Sequence, residues 1–159
     1  MDLSTVGKLI ISIMSCFIAG GIGALFTTKS IPDWYRNLKK PRYTPPDWVF
    51  GPVWTTLYIL MGLSLFFIWQ KGLAAQGVLV PFTLFWVQLA INSLWSVIFF
   101  GLKSKGGGIA VIIALWLLIL ATIITSFPVS TWAGVLLIPY ITWVSVAIYL
   151  NIGVWALNK

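Results

Sequence analysis

The chain has 159 residues, 60% apolar and only 8% charged, with a mean hydropathy of +1.00. A soluble domain carries nearer a quarter charged residues, so too little polar side chain is present to coat a water-facing globule, and the bilayer is the expected solvent. The absence of His, a single Cys (Cys16) and three acids (Asp2, Asp33 and Asp47) exclude disulfide frameworks and most metal sites, and leave almost no acid–base pairs.

Apolar runs separated by turn residues and lysines predict transmembrane helices at about 8–26, 48–69, 78–100, 107–127 and 132–156, each near the roughly 20 residues needed to cross the hydrocarbon. The expected fold is therefore all-α: one integral membrane domain over 1–159, a bundle of five transmembrane helices with a structured first loop at 27–47. A β-barrel would show segments of about ten residues with alternating polarity, whereas 109–124 is apolar on every face. In the first span, Lys8 and the apolar residues before Cys16 have the outline of a lipoprotein signal, but the run continues through Phe26, which favours a retained helix. Ala19, Gly20, Gly23 and Ala24 form overlapping small-xxx-small pairs, suited either to packing within the chain or to a dimer seam.

The loop interleaves Pro32, Pro41, Pro45 and Pro46 with Trp34, Tyr35, Tyr43 and several cations. It reads equally as a stiff lid or as an interfacial anchor. The net charge of +7 invites a nucleic-acid reading, but its placement argues for membrane topology and no nucleic-acid partner. Lys29, Arg36, Lys39, Lys40, Arg42, Lys103, Lys105 and Lys159 fall on one side, and only Lys8 and Lys71 on the other. The positive-inside rule then puts the first loop and the C-terminus in the cytoplasm and the N-terminus across the membrane.

Polar and aromatic residues mark the interior. On the third span Gln88, Asn92, Trp95 and Phe99 share one helical stripe, and an amide in hydrocarbon must face a cavity or another helix. Trp54 and Tyr58 lie one turn apart on the second span, and Tyr140, Trp143, Ala147 and Asn151 form a stripe just after Pro139 on the fifth. Such stripes either make ordinary core or wall a pocket with flat aromatic faces, opened by a proline that weakens the last helix near its start. A proton-coupled transporter would hold an intramembrane carboxylate, and all three acids fall outside the expected spans. A structural or regulatory membrane subunit without a ligand is the remaining alternative.

The sequence also resembles a known family. The run Trp34-Tyr35, then Lys40-Pro41-Arg42-Tyr43-Thr44-Pro45-Pro46-Asp47-Trp48-Val49-Phe50-Gly51-Pro52-Val53-Trp54-Thr55-Thr56-Leu57-Tyr58, is similar to the first-loop and second-helix signature of the TspO/MBR family. That family comprises the tryptophan-rich sensory proteins and the translocator protein, once called the peripheral benzodiazepine receptor. Gln88-Leu89-Ala90-Ile91-Asn92 with Trp95, Phe99-Phe100-Gly101, Pro139-Tyr140 with Trp143, and Leu150-Asn151 with Trp155 continue the likeness over nearly the whole chain. The resemblance implies a homodimeric five-helix bundle that binds porphyrins such as protoporphyrin IX and haem, and in some members sterols, as ligands, with no cofactor required. It implies a role in tetrapyrrole sensing, transport or stress response.

Carried over by position, the ligand-binding residues would be Tyr35, Pro45 and Phe50 from the lid region, Trp54 and Tyr58, Asn92 and Trp95, and Trp143, Ala147 and Leu150. The stripes add Gln88 and Tyr140 to these. Some family members degrade porphyrin with light and oxygen, which would make Trp54 and Trp143 the reactive pair. The chain departs from the family pattern at Arg42-Tyr43, which adds a cation near the expected cavity mouth. It also departs at Ile152 and Ala156, which stand where the animal sterol motif has a tyrosine and a cation. With no histidine, haem iron would lack its commonest axial ligand, so a metal-free porphyrin is the better expectation.

Overall fold

The computed structural model describes residues 4–159, so Asp2 lies outside the described residues. Helix α1 (Thr5–Asp33) starts at Ser4, whose hydroxyl accepts from the Gly7 N–H, and runs seven residues beyond the expected end at residue 26. Pro32 lies in the last turn, where it forfeits one helical N–H, yet the helix closes beyond it with the Trp34 N–H on the Ser30 carbonyl at 3.0 Å. The long first loop therefore shrinks to residues 34–46, opened by a tight 3₁₀ turn at Tyr35–Asn37. Helix α2 (Asp47–Gln70) and helix α3 (Leu79–Ser96) follow, joined by a short turn in which Gly72 and Gly77 take the left-handed backbone that other residues avoid.

Helix α3 widens into a π turn at Val97–Gly101, closed by the Leu102 N–H on the Val97 carbonyl at 2.8 Å. Helix α4 (Lys105–Ser126) is capped by Ser104. The fifth span is two pieces, α5 (Thr131–Leu136) and α6 (Ile138–Leu157). The break at Leu137 follows from Pro139, which offers no N–H to the preceding turn and crowds its carbonyl. Among the described residues, five helical segments are long and apolar enough to cross a membrane, in the order the hydropathy predicts and with ends shifted by a few residues except at the end of α1.

The segments form a closed ring: α1 packs on α2 and α3, α3 on α4, α4 on α6, and α2 on α5, while α2 and α6 touch only sparingly. In lipid such packing is driven by close approach rather than by water, which puts small residues at the seams. Ala19, Gly20 and Gly23 serve this use within the chain. The Ser93 hydroxyl donates to the Ala19 carbonyl at 3.0 Å, Gly20 lies under the Tyr58 ring, and Gly23 lies under Ser96. In the half of the bundle away from the first loop, Met61, Leu65, Phe85, Ile119 and Leu137 interlock with at most 1% exposure, a filled core.

Candidate functional site

At the loop end the sparse contact between α2 and α6 leaves a cavity of about 490 Å³, within the roughly 300–1,000 Å³ of ligand pockets. Its walls are rings. Trp54 is stacked on Tyr58 with centroids 5.5 Å apart, and Trp95 on Phe99 at 5.4 Å and 10°. Phe50 meets Trp143 edge-on at 5.6 Å, closing the side between α2 and α6. Ala147 and Leu150 of α6 complete that wall, and Asn92 is the amide on the α3 wall. Between Phe17 and Ile31 the α1 wall is built from small residues, and Gly21, Gly23, Ala24 and Thr27 project little side chain into the space that the rings of α2, α3 and α6 face.

Hydrogen bonds fix the orientation of these rings. The Asn92 amide donates to the Tyr140 hydroxyl at 2.6 Å, and the Trp95 indole N–H donates to Asn151 Oδ1 at 3.1 Å. Asn151 in turn donates to the Lys105 carbonyl at 3.1 Å. A Trp95 whose N–H is already committed offers a guest its face, as stacking requires. Gly108 sits beside Phe99 and Asn151, so α4 approaches closely enough to support this link.

The loop divides between the two roles its composition left open. Trp34 packs edge-on to Phe99 at 5.5 Å, Tyr35 packs on Phe99 and Phe100, and Lys40 lies over the Tyr35 ring at 4.9 Å. These form a roof. Tyr43 in the loop and Trp48 in the first turn of α2 are each 75% exposed, as interfacial anchors are. The roof is fastened to the C-terminus: Asn158 accepts from the Lys39 N–H at 3.0 Å and donates to the Lys39 carbonyl at 2.8 Å, Pro41 rests against Gly153, and Lys105 Nζ donates to the Asn158 carbonyl. Burial and the nearby charge of Asp47 push the Tyr35 hydroxyl above its ordinary range, so the roof phenol stays neutral.

Of the residues singled out in the sequence, Tyr35, Phe50, Trp54, Tyr58, Asn92, Trp95, Trp143, Ala147 and Leu150 all line the cavity. Three stand elsewhere. Pro45 lies in the part of the loop that does not reach the wall. Tyr140 is fully buried behind Asn92, as its support. Gln88, one turn from Asn92, is in the filled half at 1% exposure, and among the described residues its amide has no hydrogen-bond partner.

The wall also holds residues that sequence reasoning passed over. Phe100 is one, because the π turn aims it inward beside Phe99, where a regular helix would turn adjacent residues about 100° apart. Asp47 is another: it and Asp33 are the loop-end residues of α2 and α1 and not loop residues, and Asp47 stands at the cavity rim, its charge favoured by the α2 N-terminus. The fastening by Asn158 carries no sequence signal, since it depends on how the loop folds back over α6.

Five membrane-length helices among the described residues, around a ring-lined internal cavity, define an α-helical membrane protein. The chain belongs to the TspO/MBR family, whose sequence profile matches residues 12–156. It is 44% identical over 147 residues to "Protein CrtK" of Rhodobacter capsulatus, covering 91% of this chain and 89% of that one. It is 40% identical over 151 residues to "Tryptophan-rich protein TspO" of Archaeoglobus fulgidus, covering 95% and 97%. To the "Translocator protein" of Homo sapiens it is 36% identical over 146 residues, covering 91% and 84%.

Proposed function

We propose that the chain binds a porphyrin, protoporphyrin IX by preference, in the loop-end cavity and serves as a membrane receptor or translocator for it. The observation that carries this reading is the cavity itself: Trp54, Trp95 and Trp143 face one space of about 490 Å³ across a wall of small residues. A planar macrocycle there gains about 0.5–1.5 kcal/mol from each offset-stacked ring beyond its area burial. Its propionates find Arg36, Lys39, Lys40 and Arg42 in the adjoining loop, and eight of the ten cations lie at this end of the bundle. The positive-inside rule assigns that end to the cytoplasm. A homodimer would form on the lipid-facing surface, because Ala19, Gly20 and Gly23 are already engaged inside the chain.

Titration of the detergent-solubilised chain with protoporphyrin IX, followed by the Soret band, is expected to saturate at one porphyrin per chain. The dimethyl ester, lacking the charges that meet the loop cations, binds more weakly. Absence of saturation with either would overturn the reading. The presence of Trp54 and Trp143 on one cavity also favours a second reading, photochemical: a porphyrin excited in place, with molecular oxygen as oxidant, is degraded with a tryptophan as electron donor. Irradiation of the complex separates the two, since loss of Soret absorbance slows in Trp143→Phe only if that indole takes part.

A further inference from the structure

The cavity wall differs sharply in exposure from one side to the other. Six lining residues are exposed, and they lie on two helices only: Gly21, Ala24 and Thr28 on α1, and Asp47, Gly51 and Thr55 on α2. Each trio runs up one helix face, at spacings of three and four residues or of four and four, so the two faces border a vertical slit. No residue of 38–46 lines the cavity. The opening is therefore in the side of the bundle and not under the loop.

Its chemistry suits lipid. A Cβ added at Gly21 or Gly51 would meet nothing within 4 Å, whereas one at neighbouring Gly20 would press on the Tyr58 ring. The Thr28 hydroxyl donates back to the Ala24 carbonyl at 2.7 Å and the Thr55 hydroxyl to the Gly51 carbonyl at 2.9 Å. The slit edges thus present C–H surface, and a ring sliding between them breaks no hydrogen bond. Gly21 lies twelve residues before the loop end of α1, about 18 Å at 1.5 Å per residue, well inside the apolar belt. Asp47 and the exposed Lys29 stand at the upper end, at headgroup height. The roof is held shut by Asn158, while the slit is open with the roof in place.

We propose that the slit between α1 and α2 is the passage through which a flat amphiphile exchanges between the cavity and the loop-side leaflet of the bilayer, its ring travelling in the acyl region and its carboxylates at headgroup level. This rests on the porphyrin-binding reading and names the phase from which the ligand arrives. The roof need not lift.

The test is stopped-flow transfer of protoporphyrin IX from donor vesicles to the full chain in phosphatidylcholine vesicles. Gly21→Trp and Gly51→Trp, both at positions with room for a side chain, are expected to slow association and dissociation alike by at least tenfold. Asn158→Ala, which frees the roof, leaves both rates within twofold. Rates unchanged in both tryptophan variants, affinity lost without slower dissociation, or a tenfold acceleration in Asn158→Ala would each overturn the passage. Failure of the porphyrin reading is distinct, because the unsubstituted chain would then show no saturable uptake at all.

Discussion

The two halves of this bundle have opposite interiors. Away from the loop, branched and flexible aliphatic side chains such as Met61, Leu65, Ile119 and Leu137 fill the space between helices around Phe85. Toward the loop, stiff flat rings on α2, α3 and α6 face small residues on α1, and a cavity remains. The lesson is geometric: a void opens in a membrane bundle where large planar side chains are placed opposite glycine and alanine.

Substitutions on either side of that divide should have opposite consequences. In the filled half, Phe85→Ala leaves a cavity with no neighbour able to collapse into it; since lipid supplies no water-transfer term, we expect the lower end of the usual range, about 3 kcal/mol of stability. Unfolding in mixed micelles by a denaturing detergent measures it, and a loss below about 1 kcal/mol would mean this half is not tightly packed. In the open half, Ala147→Trp fills space already present, so stability should hold while porphyrin affinity falls about 100-fold, equivalent to about 2.7 kcal/mol. A variant that unfolds but still binds would reverse the assignment of the two halves.

Smaller effects sharpen the boundary. Asn151→Leu leaves the Trp95 indole N–H unpaired, for an expected loss of about 1–2 kcal/mol and a red-to-blue change in indole emission as the ring leaves its fixed pose. Gln88→Met should stabilise the chain by about 1 kcal/mol, because it removes a buried amide without a partner among the described residues. A loss of stability instead would show that the amide is engaged. Asn158→Ala should cost about 1 kcal/mol or less, visible as faster amide exchange at Lys39.

The fold was readable because the bilayer imposes a length and an apolarity on each span, and both are properties of composition within a window. Nine of the twelve proposed contact residues reached the cavity because stripe spacing and family likeness both place side chains on the inner helix face. The failures have local causes. Residues 27–33 read as loop from their proline and charges, yet Pro32 in a last turn does not end a helix. Gln88 shares a stripe with Asn92, but a stripe fixes a direction and not a depth, and one turn down the interior is already filled. Phe100 lies off the stripe and reaches the cavity only through the π turn, and Asn158 depends on contacts across more than a hundred residues of sequence.

Intrinsic tryptophan fluorescence of the chain in nanodiscs during protoporphyrin IX titration probes the ring-lined space most directly. With three of the ten tryptophans on the cavity, quenching should saturate at one porphyrin per chain and be lost in Ala147→Trp. A linear decline that is the same in both proteins, the mark of absorbance by unbound dye, would show that the rings of α2, α3 and α6 do not enclose room for a guest.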